Sequence, residues 1–134
     1  AQSHYYLGQV LVQSGKIDEA ITHFEDALRQ KPDWIEPMNN LAWLLAVSKE
    51  TTIHNPTKAV GVAWRACELT NYRRPDLLDT LAAAYAAAGD FSKAVETAEK
   101  ALGLCQSPGL NSLKKEIESR LVLYKAGKPY IETR

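Results

Sequence analysis

Apolar and small residues return along this chain in one phrase, stated from His4 to Pro32 and then repeated twice with variations. It reads Leu7-Gly8, Leu11, a turn at Gly15, then Ala20, Phe24, Ala27 and Pro32. A third copy reads Leu81-Ala82, Tyr85, Gly89, Ala94, Ala98 and Ala101, and a looser middle copy reads Leu41-Ala42, Leu45, Ala59, Ala63 and Ala66. Large and small apolar residues at these spacings put one stripe on each of two successive helices. The phrase therefore predicts stacked helical hairpins, an architecture suited to binding rather than catalysis.

The stripes and the breakers between them predict seven helices. The first runs from about Gln2 to Ser14, with Tyr6, Leu7, Val10 and Leu11 as its apolar residues, and ends at Gly15 in a left-handed turn. The second runs from Ile17 to Gln30, with Ala20, Ile21, Phe24, Ala27 and Leu28 on one face, and Pro32 stops it. Asp33 is expected to cap a third helix that carries Trp34, Met38, Leu41, Leu44 and Leu45. Residues 48–56 are polar and lack a helical period, and Asn55-Pro56 is a start signal for a fourth helix that reaches Thr70. Pro75 opens a fifth helix ending at Gly89, and a sixth spans Phe91 to Leu104. After a Ser107-Pro108-Gly109 loop, a seventh helix from Leu110 to Ala126 aligns Leu110, Leu113, Ile117, Leu121 and Tyr124. Its other face (Lys114, Lys115, Glu118, Arg120, Lys125) reads as solvated. No segment reads as a strand, so the fold class is all-α.

His4-x2-Leu7-Gly8-x2-Leu11, Ala20-x3-Phe24, Ala27 and Pro32 resemble the tetratricopeptide (TPR) repeat, W-x2-L-G-x2-Y, then A-x3-F, then P. Gly8 and Ala20 are small where the two helices of such a hairpin cross. The third copy matches with Leu78, Leu81, Ala82, Tyr85, Ala94 and Ala101, but has Ala98 in the place of the aromatic. The middle copy is stretched: Ala42 to Ala59 is 17 residues, against 12 from Gly8 to Ala20, which lengthens the loop around Lys49 to Asn55 by five. The link from Ala66 to Leu78 is also one residue longer than in the first copy. The resemblance implies a right-handed superhelix of three hairpins, about 2–33, 34–73 and 75–106. A capping helix at about 110–126 closes it, all within one domain, 1–134. The stretches Asn40 to Ala46, Leu78 to Tyr85 and Arg120 to Tyr130 also resemble the C-terminal repeats of bacterial multi-repeat TPR proteins, which often end a longer chain.

Composition narrows the partners. The 134 residues carry a formal charge of zero, so nothing favours nucleic acid electrostatically. No apolar run approaches the roughly 20 residues that cross a bilayer, so membrane insertion is not expected. The chain begins Ala1-Gln2-Ser3, without Met or a signal-peptide pattern, as an excised part of a longer protein or a processed terminus would. Cytoplasm and periplasm both stay open as compartments. Cys67 takes the place held by Leu28 and Leu102 in the flanking copies and reads as a buried free thiol; Cys105, near a helix end, reads as partly exposed.

In the TPR family the first helices of the hairpins line a concave groove. The matching residues here are Tyr5, Gln9, Val12 and Gln13 in the first hairpin, Glu36, Asn39, Asn40, Trp43 and Val47 in the second, and Asp76, Asp79, Thr80 and Ala83 in the third. This mixture of rings, amides and carboxylates suits a peptide segment or partner helix. Tyr5 and Trp43 either face the ligand or pack against neighbouring helices. In arrays that grip extended peptides, an Asn at the place of Asn40 bonds the ligand backbone; Tyr6 and Thr80 hold the matching places in the other hairpins. The clamp that binds chaperone C-terminal tails needs Lys, Asn, Asn, Lys and Arg where this chain has Tyr5, Gln9, Asn40, Asp76 and Thr80. Only Asn40 matches, so those tails are not expected as ligands. Glu36, Asp76 and Asp79 instead favour basic or polar groups.

Enzyme chemistry finds no foothold. There is no phosphate loop, nucleophile elbow or zinc motif, and no cofactor, catalytic residue or metal ligand is expected. His4 stands at a repeat core place, His23 on an outer face and His54 in the inserted loop, without a second ligand at metal spacing. Trp64, one place past Ala63, is expected to pack half-buried against that loop, or else to form a second patch for homo-oligomer contacts. The reading is a non-catalytic interaction module binding a protein or peptide. The alternative is a domain that oligomerises or positions a larger bacterial enzyme or membrane protein.

Overall fold

The structure, a computed structural model, describes residues 1–132. Among these lie seven α-helices and no strand: α1 (Gln2–Gln13), α2 (Ile17–Gln30), α3 (Ile35–Val47), α4 (Pro56–Leu69), α5 (Pro75–Ala87), α6 (Phe91–Gly103) and α7 (Asn111–Lys125). Residues Pro108–Leu110 form a short 3-10 turn where the sequence suggests only a loop. The helices pair as hairpins α1/α2, α3/α4 and α5/α6, with α7 laid against α6 and touching α5.

Each hairpin closes where small residues let the backbones approach. Gly8 shows why: a Cβ there would lie 2.5 Å from Cε1 of Phe24, so the ring of α2 fills the space a side chain would need. The matching pairs are Ala42 with Ala63 and Ala82 with Ala98, all fully or almost fully buried. The third copy therefore loses its aromatic at the same place where it gains a methyl group.

Two contiguous cores result. One joins Ala20, Phe24, Leu41, Leu45 and Val47 with Ala83 and Ala84; the other joins Met38, Cys67, Leu78 and Leu81 with Ile117, Leu121 and Tyr124. Leu113 and Leu110 are only partly buried against the second core. Cys67 is buried and free as expected; Cys105 is also buried and free, where partial exposure was expected. Its thiol turns inward because α7 covers the end of α6.

Local departures have local causes. Asn55 accepts from the Lys58 backbone N–H and caps α4, as its sequence predicts. Asp33 caps nothing: α3 starts two residues later with Trp34 at its N-cap, and Asp33 pairs with Arg65 instead. The extra residue between α4 and α5 is taken up by two left-handed residues, Asn71 (φ 55°) and Tyr72 (φ 56°). The five-residue insertion is not wholly polar in behaviour, because Ile53 is buried and the Asn55 N–H donates to the Leu45 carbonyl at 2.9 Å. Thr52, Ile53, His54 and Asn55 face Asp18, Ile21 and Glu25 of α2 across a cleft of about 400 Å³. The loop thus leans on α2, and Trp64 is left 43% exposed.

Candidate functional site

The first helices α1, α3 and α5 bring part of the expected groove together. The Gln9 side-chain amide donates to the Tyr5 hydroxyl at 3.0 Å, and the Tyr5 ring rests on Trp34 with centroids 4.8 Å apart. Burial and the nearby Glu36 carboxylate push the Tyr5 hydroxyl above its ordinary pKa, while a hydrogen bond from Asn40 pulls it part of the way back. Tyr5, Gln9, Glu36 and Asn40 therefore form one polar cluster between the first and second hairpins, with Tyr5 both packing and presenting its hydroxyl. Asn39 is half-buried beside it, and its Oδ1 has no hydrogen-bond partner among the described residues.

The carboxylates behave differently from expectation. Arg74 donates to Glu36 at 3.0 Å and to Asp76 at 3.2 and 2.7 Å. Arg120 of α7 donates to Asp79 at 2.7 Å. Each of the three acids expected to attract a basic ligand is thus already matched by an arginine of the chain, so the groove has no acidic surplus there. Asp79, Thr80 and Ala83 are buried rather than lining an open surface, and Val47, though it borders a cleft, is almost wholly covered. Burial pushes the Asp79 carboxyl up to about 6, Arg120 offsetting only part of that, with Glu116 and Asp76 adding to the rise. Its Oδ1 and the Tyr124 hydroxyl lack hydrogen-bond partners among the described residues.

What covers the third hairpin is the end of the chain itself. Gly127 (φ 72°) ends α7 and turns the chain back toward α3. The guanidinium of Arg120 lies 4.8 Å from the Trp43 ring centroid and 4.7 Å from that of Tyr130, and the two rings are 5.8 Å apart. Two residues on, the Glu132 N–H donates to the Val47 carbonyl at 2.8 Å, and Glu132 forms an isolated parallel β-bridge with Ser48. Arg120, expected on a solvated face, is drawn inward by one carboxylate and two rings. Beyond Glu132 an open cleft of about 610 Å³ continues along Val12, Gln13, Leu44 and Val47.

Residues 1–34 and 77–112 each match a family described as tetratricopeptide repeat. The chain belongs to the tetratricopeptide repeat family. Its structure is similar to the solved N-terminal domain of stress-induced protein-1 (STI-1) from C.elegans, with a TM-score of 0.61 and 20% identity over 87% of this chain and 92% of that one. At that identity the likeness speaks for the fold alone. No curated protein matches the chain. TPR repeats are generally non-catalytic protein–protein interaction units, and the structure here is an all-α TPR superhelix.

Sequence reading missed two arrangements on this TPR frame. Tyr130 and Ile131 follow Gly127 and Pro129, a turn signal before apolar residues that could have flagged a returning tail. His4 and His23, expected in separate structural and solvent-facing roles, meet with their Nδ1 atoms 2.8 Å apart. The signal lay in hairpin register: Gly8 opposite Phe24 brings the turn before Gly8 alongside the residues around His23. No helix among the described residues is long and apolar enough to cross a membrane.

Proposed function

We propose that this TPR array is a non-catalytic interaction module whose concave face receives an extended partner segment, with an aromatic residue seated against both Trp43 and Arg120. The observation that carries this reading is the tail: Tyr130 stacks in that position while the Glu132 backbone bonds to α3. A chain that lays one aromatic and one backbone N–H against this face illustrates the chemistry a partner would use, namely side-chain seating plus strand-like backbone pairing. In this reading the segment continues past Tyr5, Gln9, Gln13, Glu36, Asn39 and Asn40, where amides and a hydroxyl offer donors and acceptors. At Asp76 the ligand meets a neutralised ion pair rather than free charge, and Asp79 and Thr80 lie covered beyond it. Neither a clamp for chaperone tails nor a nucleic-acid surface is part of the proposal.

The test uses the full chain with Tyr130→Ser and a synthetic peptide copying residues 127–132. Binding in trans, seen as shifts of the α3 backbone amide signals by NMR, is expected for this variant, weaker for the unchanged chain, and absent when Trp43→Ala is added. No shift in any variant at millimolar peptide would sink the idea. A second reading, self-association or positioning within a larger assembly, draws on a separate observation. Tyr6, Leu7 and Val10 lie exposed in one stripe of α1. Sedimentation that depends on concentration and is abolished by Leu7→Ser with Val10→Ser, without peptide binding, would favour it.

A further inference from the structure

We propose that His4, His23 and Asp26 form a zinc-binding site that ties the two helices of the first hairpin together. His23 and Asp26 stand three apart on α2 and so share a face, and His4 reaches them from the first turn of α1. One ligand atom from each lies within 4.8 Å of the other two, and all three side chains are half-buried. The two imidazoles approach with Nδ1 atoms 2.8 Å apart and ring centroids 5.1 Å apart. Two nitrogens bound at about 2.0 Å to one tetrahedral zinc lie about 3.3 Å from each other. A small outward movement of the rings therefore opens room for the ion, with no change in the helices.

The donor set is chemically coherent. Without metal, one ring must carry its proton on Nδ1 and donate to the other. With zinc, that ring shifts its proton to Nε2, both Nδ1 lone pairs face the ion, and no proton is lost. One carboxylate oxygen of Asp26 makes the third bond and water the fourth, a set of borderline nitrogen and hard oxygen donors that suits Zn²⁺. Asp26 is paired with Arg29, whose side chain is 72% exposed and can swing into water when the carboxylate turns to the metal. The site differs from the groove in residues and in chemistry, so it stands or falls separately from the peptide reading. Its effect is on the hairpin: a ligand bound only by the folded form stabilises that form.

The experiment titrates Co²⁺ and Zn²⁺ into the full chain, reading the visible d–d bands of cobalt, its displacement by zinc, and the melting temperature. One equivalent is expected to bind, with tetrahedral cobalt bands and a higher melting temperature. His4→Gln or His23→Gln should lower the affinity by at least about 10- to 100-fold, the loss known for disturbing even the groups behind a metal ligand. Asp26→Asn, at a half-buried surface position, should weaken binding with helicity unchanged, and His54→Gln should leave it as it was. Arg29→Gln frees the carboxylate and should tighten it. Absence of binding at millimolar metal, affinity unaltered in both His4→Gln and His23→Gln, or an intense cobalt–thiolate band from Cys67 or Cys105 overturns the proposal.

Discussion

Tyr6, Leu7 and Val10 of the first hairpin hold the same places as Thr80, Leu81 and Ala84 of the third, 74 residues later. The first three are 60, 49 and 59% exposed, and the second three are 4, 3 and 0% exposed. The helices differ little in pattern; they differ in what lies against them. α5 is enclosed by α3, α4, α6 and the edge of α7, whereas α1 packs mainly on α2. The groove follows the same gradient, open along Gln9 and Gln13 and closed over Asp79 and Thr80 by Arg120 and the tail. In a stack of hairpins a residue's burial belongs to its neighbours as much as to its own helix.

The sharpest contrast to break is electrostatic. Arg120 and Asp79 have side chains only 12 and 8% exposed, while Lys58 and Glu25, which tie the first hairpin to the second, are 45 and 35% exposed. Arg120→Met leaves a buried carboxylate without its partner and strips the Trp43–Tyr130 stack of its cation; the expected cost is about 3–5 kcal/mol. Lys58→Met should cost less than about 1 kcal/mol, because water screens and replaces the pair. Urea unfolding of the two variants measures both. Equal losses would mean that closure of the third hairpin does not depend on this pair.

Packing gives the next contrast. Leu81→Ala should destabilise by about 2–5 kcal/mol through lost burial and the cavity left behind. The same change at Leu7 should stay within about 0.5–1 kcal/mol, since the side chain is half in water already. Matching effects at both places would show that something covers α1 in solution.

These contrasts mark how far the sequence could be read. Helix ends were legible because their causes are local: Pro56 behind Asn55, Pro75 at the head of α5, and a glycine at the turns of the first and third hairpins. The small residues at the helix crossings were legible too, down to the Phe24-for-Ala98 exchange. The closing of the groove was not. Arg120 sits 41 residues from Asp79 and looks, by helical period, like one more surface charge. Only when α7 docks does it come between Trp43 and Tyr130. Glu36 was read as free for the same reason, since Arg74 is 38 residues away, whereas Asp76, only two residues from Arg74, had a pairing the sequence could have shown. Partners at that separation have no shared period to betray them.

Asp79 offers a pH test of the closed end. Burial raises its carboxyl from an ordinary 3.8 to about 6 in the folded chain. Between those values the folded state takes up a proton that the unfolded state does not. Its contribution is therefore fully present below 3.8 and is lost as pH rises through about 6. Relative to Asp79→Asn, the unchanged chain should gain up to about 3 kcal/mol as pH falls across that window. The difference in unfolding free energy, taken at several pH values, measures it. A difference that shrinks on acidification would mean that Arg120 holds the carboxyl below its usual range.

The smallest contrast lies in the turns, where the backbones agree and a single side chain does not. In the first hairpin the Gly15 N–H donates to the Val12 carbonyl and Lys16 to Leu11, at 3.1 and 2.8 Å; in the third, Gly89 donates to Ala86 and Asp90 to Tyr85, at 3.0 and 2.9 Å. Both glycines are left-handed, with φ of 79 and 85°. Asp90 then caps α6 by accepting from the Lys93 N–H, whereas Lys16, in the matching place, gives α2 no side-chain cap. Lys16→Asp supplies that acceptor on a backbone already shaped for it and puts a negative charge at the positive end of the helix. Asp18 and Glu19 already crowd the first turn with negative charge, which trims the gain. The net expectation is a stabilisation of about 0.5–1 kcal/mol, mirrored by a loss of about 1 kcal/mol for Asp90→Ala. Thermal melts of the two variants decide it: a Lys16→Asp chain no more stable than the original would show that the turns are alike in hydrogen bonds but not in the space they leave for a cap.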